Sequence, residues 1–242
     1  RMVRLRTLVG DDGCGGAPAE ADRPAMHEHV CYARSFVGME PAALKVPKTG
    51  YSTRAAVQLR RQLRAHVGVV DADAVEVVMV LRVVRRRFLN EQALVDKLLE
   101  RVKNGPQPNA KVTFVRLENM TLAQQLAAVG RARVLIGAQG AALAYCIMQP
   151  PGASVVEINF PQHSDAPIAG LNANVYSSFG AISAAASVEH VNYRIPFENA
   201  KQPPGSRGWG DADLLVPEKA FASTVDCALC IGFAPLDKPA AD

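Results

Sequence analysis

Apolar residues recur along the chain with two alternating periods. From Arg54 onward Ala55, Leu59, Leu63 and Val67 fall four residues apart, which predicts an amphipathic helix with Arg54, Arg60, Arg61 and Arg64 turned away from its apolar stripe. After Gly68 the pattern changes to short apolar runs separated by helical stretches. Glu76–Leu81 is β-branched and apolar, as a buried strand requires. Asn90 opens a helix whose inner face is Leu94, Val95, Leu98, Leu99 and Val102. Lys111–Val115 is a second strand. Thr121, with Gln124 three residues on, has the form of a capping box, and Gly130 ends the helix it starts. Val134–Ile136 and Ser154–Asn159 are further strands with a short helix at Ala141–Met148 between them. Val188–Tyr193 is a fifth strand, and Pro217 with Glu218 suits the first turn of a closing helix through Phe221 and Val225.

Strands separated by helices in this order imply parallel βαβ units, and so an α/β, Rossmann-like doubly wound parallel sheet. The expected organisation is an amino-terminal loop and helix segment at 1–66, the sheet domain at 67–234 and a tail at 235–242. Residues 1–30 carry much Gly, Ala, Asp and Pro and read as an entry loop, and His29–Tyr51 reads as a connector. In such sheets ligands bind beyond the carboxyl ends of the strands, so chemistry belongs at the strand-to-helix turns.

The turn after the first strand holds Arg82, Arg85, Arg86 and Arg87 between a strand end and a helix start. Guanidinium forks match pairs of phosphate oxygens, and a helix start already favours an anion, so Arg82 and at least one of Arg85–Arg87 are diphosphate ligands in this reading. The plain alternative is a solvated basic loop paired with Glu91 or Glu100, and Asn90 is equally a simple helix N-cap. After the third strand, Gly137, Ala138, Gln139, Gly140, Ala141 and Ala142 form a small-residue turn that lets backbone approach a ligand, or merely packs. Glu157, flanked by Val156 and Ile158, is costly to bury without a partner; a ribose hydroxyl or a neighbouring Arg would serve.

Composition changes this picture little. The 242 residues are 49% hydrophobic and 21% charged, as for a chain with a substantial core, and the net charge of +4 is too mild to name a partner. The five cysteines are too scattered for a disulfide scaffold. Cys227 and Cys230 form a lone CxxC without a second ligand pair and read as buried thiols, and the odd count leaves one thiol free. His27, His29, His66, His163 and His190 lack metal-ligand spacing, Asp71 and Asp73 belong to no completed motif, and Trp209 reads as a loop anchor. No apolar run spans a bilayer.

The stretches VVMVLRVVRRRFLNEQALVDKLLERV and VTFVRLENMTLAQQLAAVGRARVLIGAQGAALAYCIMQPPGASVVEINFP, with HVCYARSFVGM upstream, resemble the carboxyl-terminal domain of glycosyltransferase family 61 from about Cys31 to Pro161. That family includes plant β-1,2-xylosyltransferases and animal O-linked N-acetylglucosaminyltransferases. The resemblance implies the donor-binding half of a GT-B fold and inverting transfer of N-acetylglucosamine or xylose from a UDP-sugar to a glycan or protein hydroxyl. It places Arg82 and Arg86 at the diphosphate, Asn90 at the helix start, Gln139, Gly140 and Ala141 at the turn wrapping the donor, and Glu157 at the nucleoside. Gln139 stands where the family has His, and it cannot take a positive charge. The implied partners are the UDP-sugar and a glycan or glycoprotein acceptor, with no nucleic acid, in the lumen of the endoplasmic reticulum or Golgi. No cofactor beyond the donor is implied and metal dependence stays open. The base comes from the family's amino-terminal domain, for which too little sequence precedes Cys31, so a fragment or a non-catalytic nucleotide-sugar binder is an alternative. A basic module for polyanions, using Arg54–Arg64 and Arg82–Arg87, is another.

Overall fold

The computed structural model describes residues 53–70, 75–161, 170–171, 178–205 and 209–234. The entry and connector segments at 1–51, with His27, His29, Cys14 and Cys31, lie outside the described residues. So do Asp71, Asp73, His163, the tail from 235 and the side chain of Trp209.

Each β-branched run forms the strand it predicts: β1 (Glu76–Val80), β2 (Lys111–Val115), β3 (Ala132–Ala138) and β4 (Ser154–Asn159). A two-residue β5 (Gly170–Leu171) and then β6 (Glu189–Arg194) complete the sheet. The helices are α1 (Thr53–Val67), α2 (Glu91–Lys103), α3 (Leu122–Gly130), α4 (Ser178–Ala185) and α5 (Glu218–Gly232). Strand order is β2-β1-β3-β4-β6-β5, parallel throughout except for the β5–β6 pair. A separate antiparallel pair joins β7 (Ala200–Lys201) to β8 (Asp213–Leu214). The Thr121 hydroxyl and Gln124 side chain exchange bonds with each other's backbone in the expected capping box. Ala141–Met148 is a tighter 3-10 helix rather than an α-helix.

The two sheet faces carry separate cores. On one, Met79, Ile136 and Ile158 meet Leu94 and Leu98 of α2 and Phe221 and Val225 of α5. On the other, Val78, Leu135 and Val155 meet Leu126 and Val129 of α3, and Leu143 and Met148 of the 3-10 segment. Helices on both faces account for the full burial of β1 and β4, whose residues are mostly apolar. The chain leaves β1 for β2 over one face, then reaches β3 on β1's other side over the opposite face. The topological switch point therefore lies between β1 and β3, where Val80 pairs with Gly137.

Helix α1 packs differently from its apolar spacing. Leu59 is 44% exposed, whereas Arg60 and Arg64 are buried. Arg60 Nη1 donates to the Ala186 carbonyl at 2.8 Å, and Arg64 Nη1 donates to the Gly130 and Met148 carbonyls at 2.6 Å each. These are carbonyls at the ends of α4, α3 and the 3-10 segment, where unpaired oxygens and the helix dipoles draw a cation inward. Cys227 and Cys230 also depart from expectation, both being disulfide-bonded rather than free thiols. Cys146 is free and buried, in keeping with an unpaired cysteine.

Candidate functional site

The four arginines after β1 divide into two pairs. Arg85 Nη1 reaches both carboxylate oxygens of Asp211, at 3.3 and 3.2 Å. Arg87 donates its backbone amide at 3.0 Å and its side chain at 3.1 and 2.5 Å to Asp213. Burial alone would push the Asp213 carboxyl up, but the Arg87 hydrogen bonds and charge together hold it below the ordinary carboxylate range. Backbone bonds continue the join, from Leu214 to the Arg87 carbonyl and from Leu89 to the Leu214 carbonyl, both at 2.8 Å. The turn is thus zipped to residues 211–216, and neither Glu91 nor Glu100 takes part: Glu91 pairs with Arg116 and Glu100 with Lys97.

Arg82 and Arg86 point to the switch point instead. Arg86 holds a left-handed backbone, φ 57°, which few side chains adopt. Its Nε donates to the Gly210 carbonyl at 2.5 Å and its Nη1 to the Gln139 carbonyl at 2.6 Å, with the guanidinium 5.5 Å from the Phe160 ring centroid. Burial lowers its pKa, and the charges of Arg82 and Arg85 lower it further against the pull of Asp211. Among the described residues no carboxylate lies within ion-pair distance of Arg86. Arg82 stands 3.7 Å from Glu118 through Nε, a buried atom that makes no hydrogen bond.

Gly140 explains how both guanidiniums fit. A Cβ there would lie 2.5 Å from Arg82 Nη1 and 3.3 Å from Arg86 Nη1, so only glycine leaves them room. Its backbone is extended, and it precedes the 3-10 segment beginning at the exposed Ala141. Gln139, half-buried, anchors this turn through its amide bond to the Ile158 carbonyl at 2.9 Å. Two cations held side by side against backbone, partly out of water, favour a ligand with paired anionic oxygens. A cleft of about 330 Å³ opens beside Arg82, bounded by Val83, Arg87, Phe88, Leu89, Glu91 and Arg116.

Asn90 holds the N-cap position of α2, but its side chain makes no capping bond. Its amide donates to the Val216 carbonyl at 2.8 Å and accepts from the Val216 amide at 3.2 Å, fixing the far end of the turn. Glu157 is fully buried: His190 Nε2 lies 2.7 Å from its Oε2 and Asn192 Nδ2 donates to the same oxygen at 3.5 Å, while Oε1 makes no hydrogen bond. Burial, with the Glu157 charge adding to it, pushes the nearby Cys146 thiol up to about 12. His190 shows no signal in the sequence, because its contact depends on β4 and β6 lying in register, Val155 opposite His190 and Glu157 opposite Asn192. Asp211 and Asp213 escaped notice for the same reason: they meet their arginines 126 positions away.

The structure thus brings Arg82, Arg86, Gln139 and Gly140 together, with Ala141 next in chain. Asn90 is set at the far end of the arginine turn, and Glu157 lies within the sheet. A family model for Glycosyltransferase 61 matches residues 37–156, which takes in each of these residues except Glu157, one position beyond. No curated protein matches the chain. Family match and Rossmann-like sheet agree, and the chain belongs to the glycosyltransferase 61 family.

Proposed function

We propose that this domain binds a UDP-sugar, with N-acetylglucosamine or xylose as the sugar, and transfers it with inversion to a glycan or protein hydroxyl. The observation that carries the reading is the meeting of Arg82 and Arg86 over Gly140 at the switch point. There the two guanidiniums bind the diphosphate, the Gly140–Ala141 backbone lies along it, and Gln139 and Phe160 hold Arg86 in place. Asn90 keeps the arginine turn in register, and Glu157 Oε1 is the acceptor left for the nucleoside. In the reaction an acceptor oxygen bonds to the anomeric carbon, the bond from that carbon to the diphosphate breaks, and its electron pair leaves with UDP. Arg82 and Arg86 stabilise the charge that develops on the leaving group. The acceptor's proton goes to a base that this reading does not assign; in a GT-B arrangement the other domain brings it.

The secretory lumen is the proposed setting. Family membership supports it, as do the disulfide-bonded Cys227 and Cys230, a state that oxidising compartments sustain. Among the described residues no helix is long and apolar enough to cross a membrane. The basic-module alternative loses Arg60 and Arg64 to buried carbonyls, and Arg85 and Arg87 to aspartates.

One observation favours a second reading, a nucleotide-sugar binder without turnover: Gln139 cannot carry the charge of an imidazolium. Incubation with UDP-N-acetylglucosamine and UDP-xylose, followed by assay of released UDP, separates the two. Donor-dependent UDP release that Arg86→Ala abolishes supports the transferase. Tight donor binding with no release, even with Gln139→His, supports the binder.

A further inference from the structure

The carboxyl end of β4 holds an amide that has no hydrogen-bond partner among the described residues. Asn159, the strand's last residue, is completely buried, and neither its Nδ2 nor its Oδ1 makes a hydrogen bond. Two residues earlier on the same face, Glu157 Oε1 is also buried and unbonded, its sister oxygen being held by His190. Buried polar atoms are nearly always paired, because stripping them of water without compensation is unfavourable. Three such atoms along one face of the strand therefore call for a polar ligand. Their position fits one, since the Gln139 amide bonds to the Ile158 carbonyl at 2.9 Å. Asn159 thus flanks the turn that carries Gly140 to the two guanidiniums.

We infer that Asn159 reads the nucleobase of the donor. Its amide presents one acceptor beside one donor, the complement of an imide edge in which N–H adjoins C=O. With uracil, Oδ1 accepts from the ring N3–H and Nδ2 donates to the neighbouring carbonyl oxygen, while Glu157 Oε1 accepts from a ribose hydroxyl. This inference rests on the diphosphate reading above and adds to it the residue that selects the base. Cytosine presents a lone pair at N3 and an amine at C4, the reverse of this edge, so the pairing in this orientation favours uracil; a carboxylate at 159 keeps the acceptor for N3–H but sets a second acceptor against the carbonyl.

The test titrates the full chain with inorganic pyrophosphate, UDP and CDP, as wild type, Asn159→Leu and Asn159→Asp, with Tm recorded for each. Asn159→Leu removes an unpaired buried amide, so Tm holds or rises while UDP binding weakens about tenfold and pyrophosphate binding is unchanged. Asn159→Asp weakens UDP about tenfold or more relative to pyrophosphate, because its second oxygen repels the uracil carbonyl. The aspartate variant, close in shape to the native residue, carries the test if the leucine variant does not fold. UDP affinity within about twofold of wild type in a folded Asn159→Leu protein, or UDP and pyrophosphate affinities that fall equally in Asn159→Asp, overturns the assignment. Failure of wild type to bind either pyrophosphate or UDP refutes the diphosphate reading itself. Pyrophosphate binding intact with no base preference refutes only the role of Asn159.

Discussion

Arg86 Nη1 donates to the backbone carbonyl of Gln139 at 2.6 Å, tying the turn after β1 to the turn after β3 across the switch point of the sheet. A left-handed backbone at Arg86 and a missing Cβ at Gly140 are the local conditions for that bond. Both are uncommon features, and together they leave a half-buried cation without a carboxylate partner among the described residues, at the place where doubly wound sheets bind ligands.

Gly140→Ala tests the fit of the two turns. The extended backbone tolerates alanine, but its Cβ would meet Arg82 Nη1 at 2.5 Å. The flexible guanidinium yields rather than the fold, so thermal stability is expected to change by no more than about 1 kcal/mol while UDP affinity falls about tenfold. Equal UDP affinity in the two proteins, measured by calorimetry, removes Gly140 from the site.

Asn90→Ala leaves the Val216 amide and carbonyl without their side-chain partner. Loss of two hydrogen bonds to buried backbone is expected to destabilise the protein by roughly 2–3 kcal/mol in urea unfolding. Asn90→Asp keeps only the bond from the Val216 amide and falls between the two.

Acid sensitivity follows from Asp213. Its folded pKa lies below the ordinary value of 3.8, so its pairing with Arg87 contributes stability that is fully present above that value. The contribution is lost as pH falls through the lowered pKa. Asp213→Asn is therefore less stable than wild type at neutral pH, and the gap closes below about pH 3.8. Parallel Tm curves for the two proteins between pH 6 and pH 2 would contradict this linkage.

Arg64→Met retains much of the apolar stem but frees the Gly130 and Met148 carbonyls, each bonded at 2.6 Å. A loss of roughly 3–5 kcal/mol is expected, as for a buried charged group stripped from its partners. A change under about 1 kcal/mol by urea denaturation would show that water replaces the guanidinium there.

What the sequence made legible was local. Val77–Val80, Val134–Ile136 and Val155–Val156 advertise buried strands through β-branching alone, and the Thr121–Gln124 box marks a helix start without any tertiary information. The prominence of Arg82 and Arg86 followed from their position at a strand end. What escaped was set by contacts distant in sequence. Arg60 and Arg64 look solvated because their neutralising carbonyls lie on other elements, and Leu59 looks buried because apolar spacing cannot show which side of a helix meets the sheet. The Glu157–His190 contact depends on strand register, and the unpaired amide of Asn159 on the lack of a hydrogen-bond partner among the described residues.

The most direct measurement is a calorimetric titration of wild type and Arg86→Ala with UDP, with ADP as the control nucleotide. Wild type is expected to bind UDP in the micromolar range, and the variant to lose about 2 kcal/mol or more, as for a hydrogen bond to a charged group. A folded wild-type chain that shows no UDP binding at millimolar concentration, or an Arg86→Ala protein that binds it equally well, would contradict a diphosphate site at the meeting of Arg82, Arg86 and Gly140.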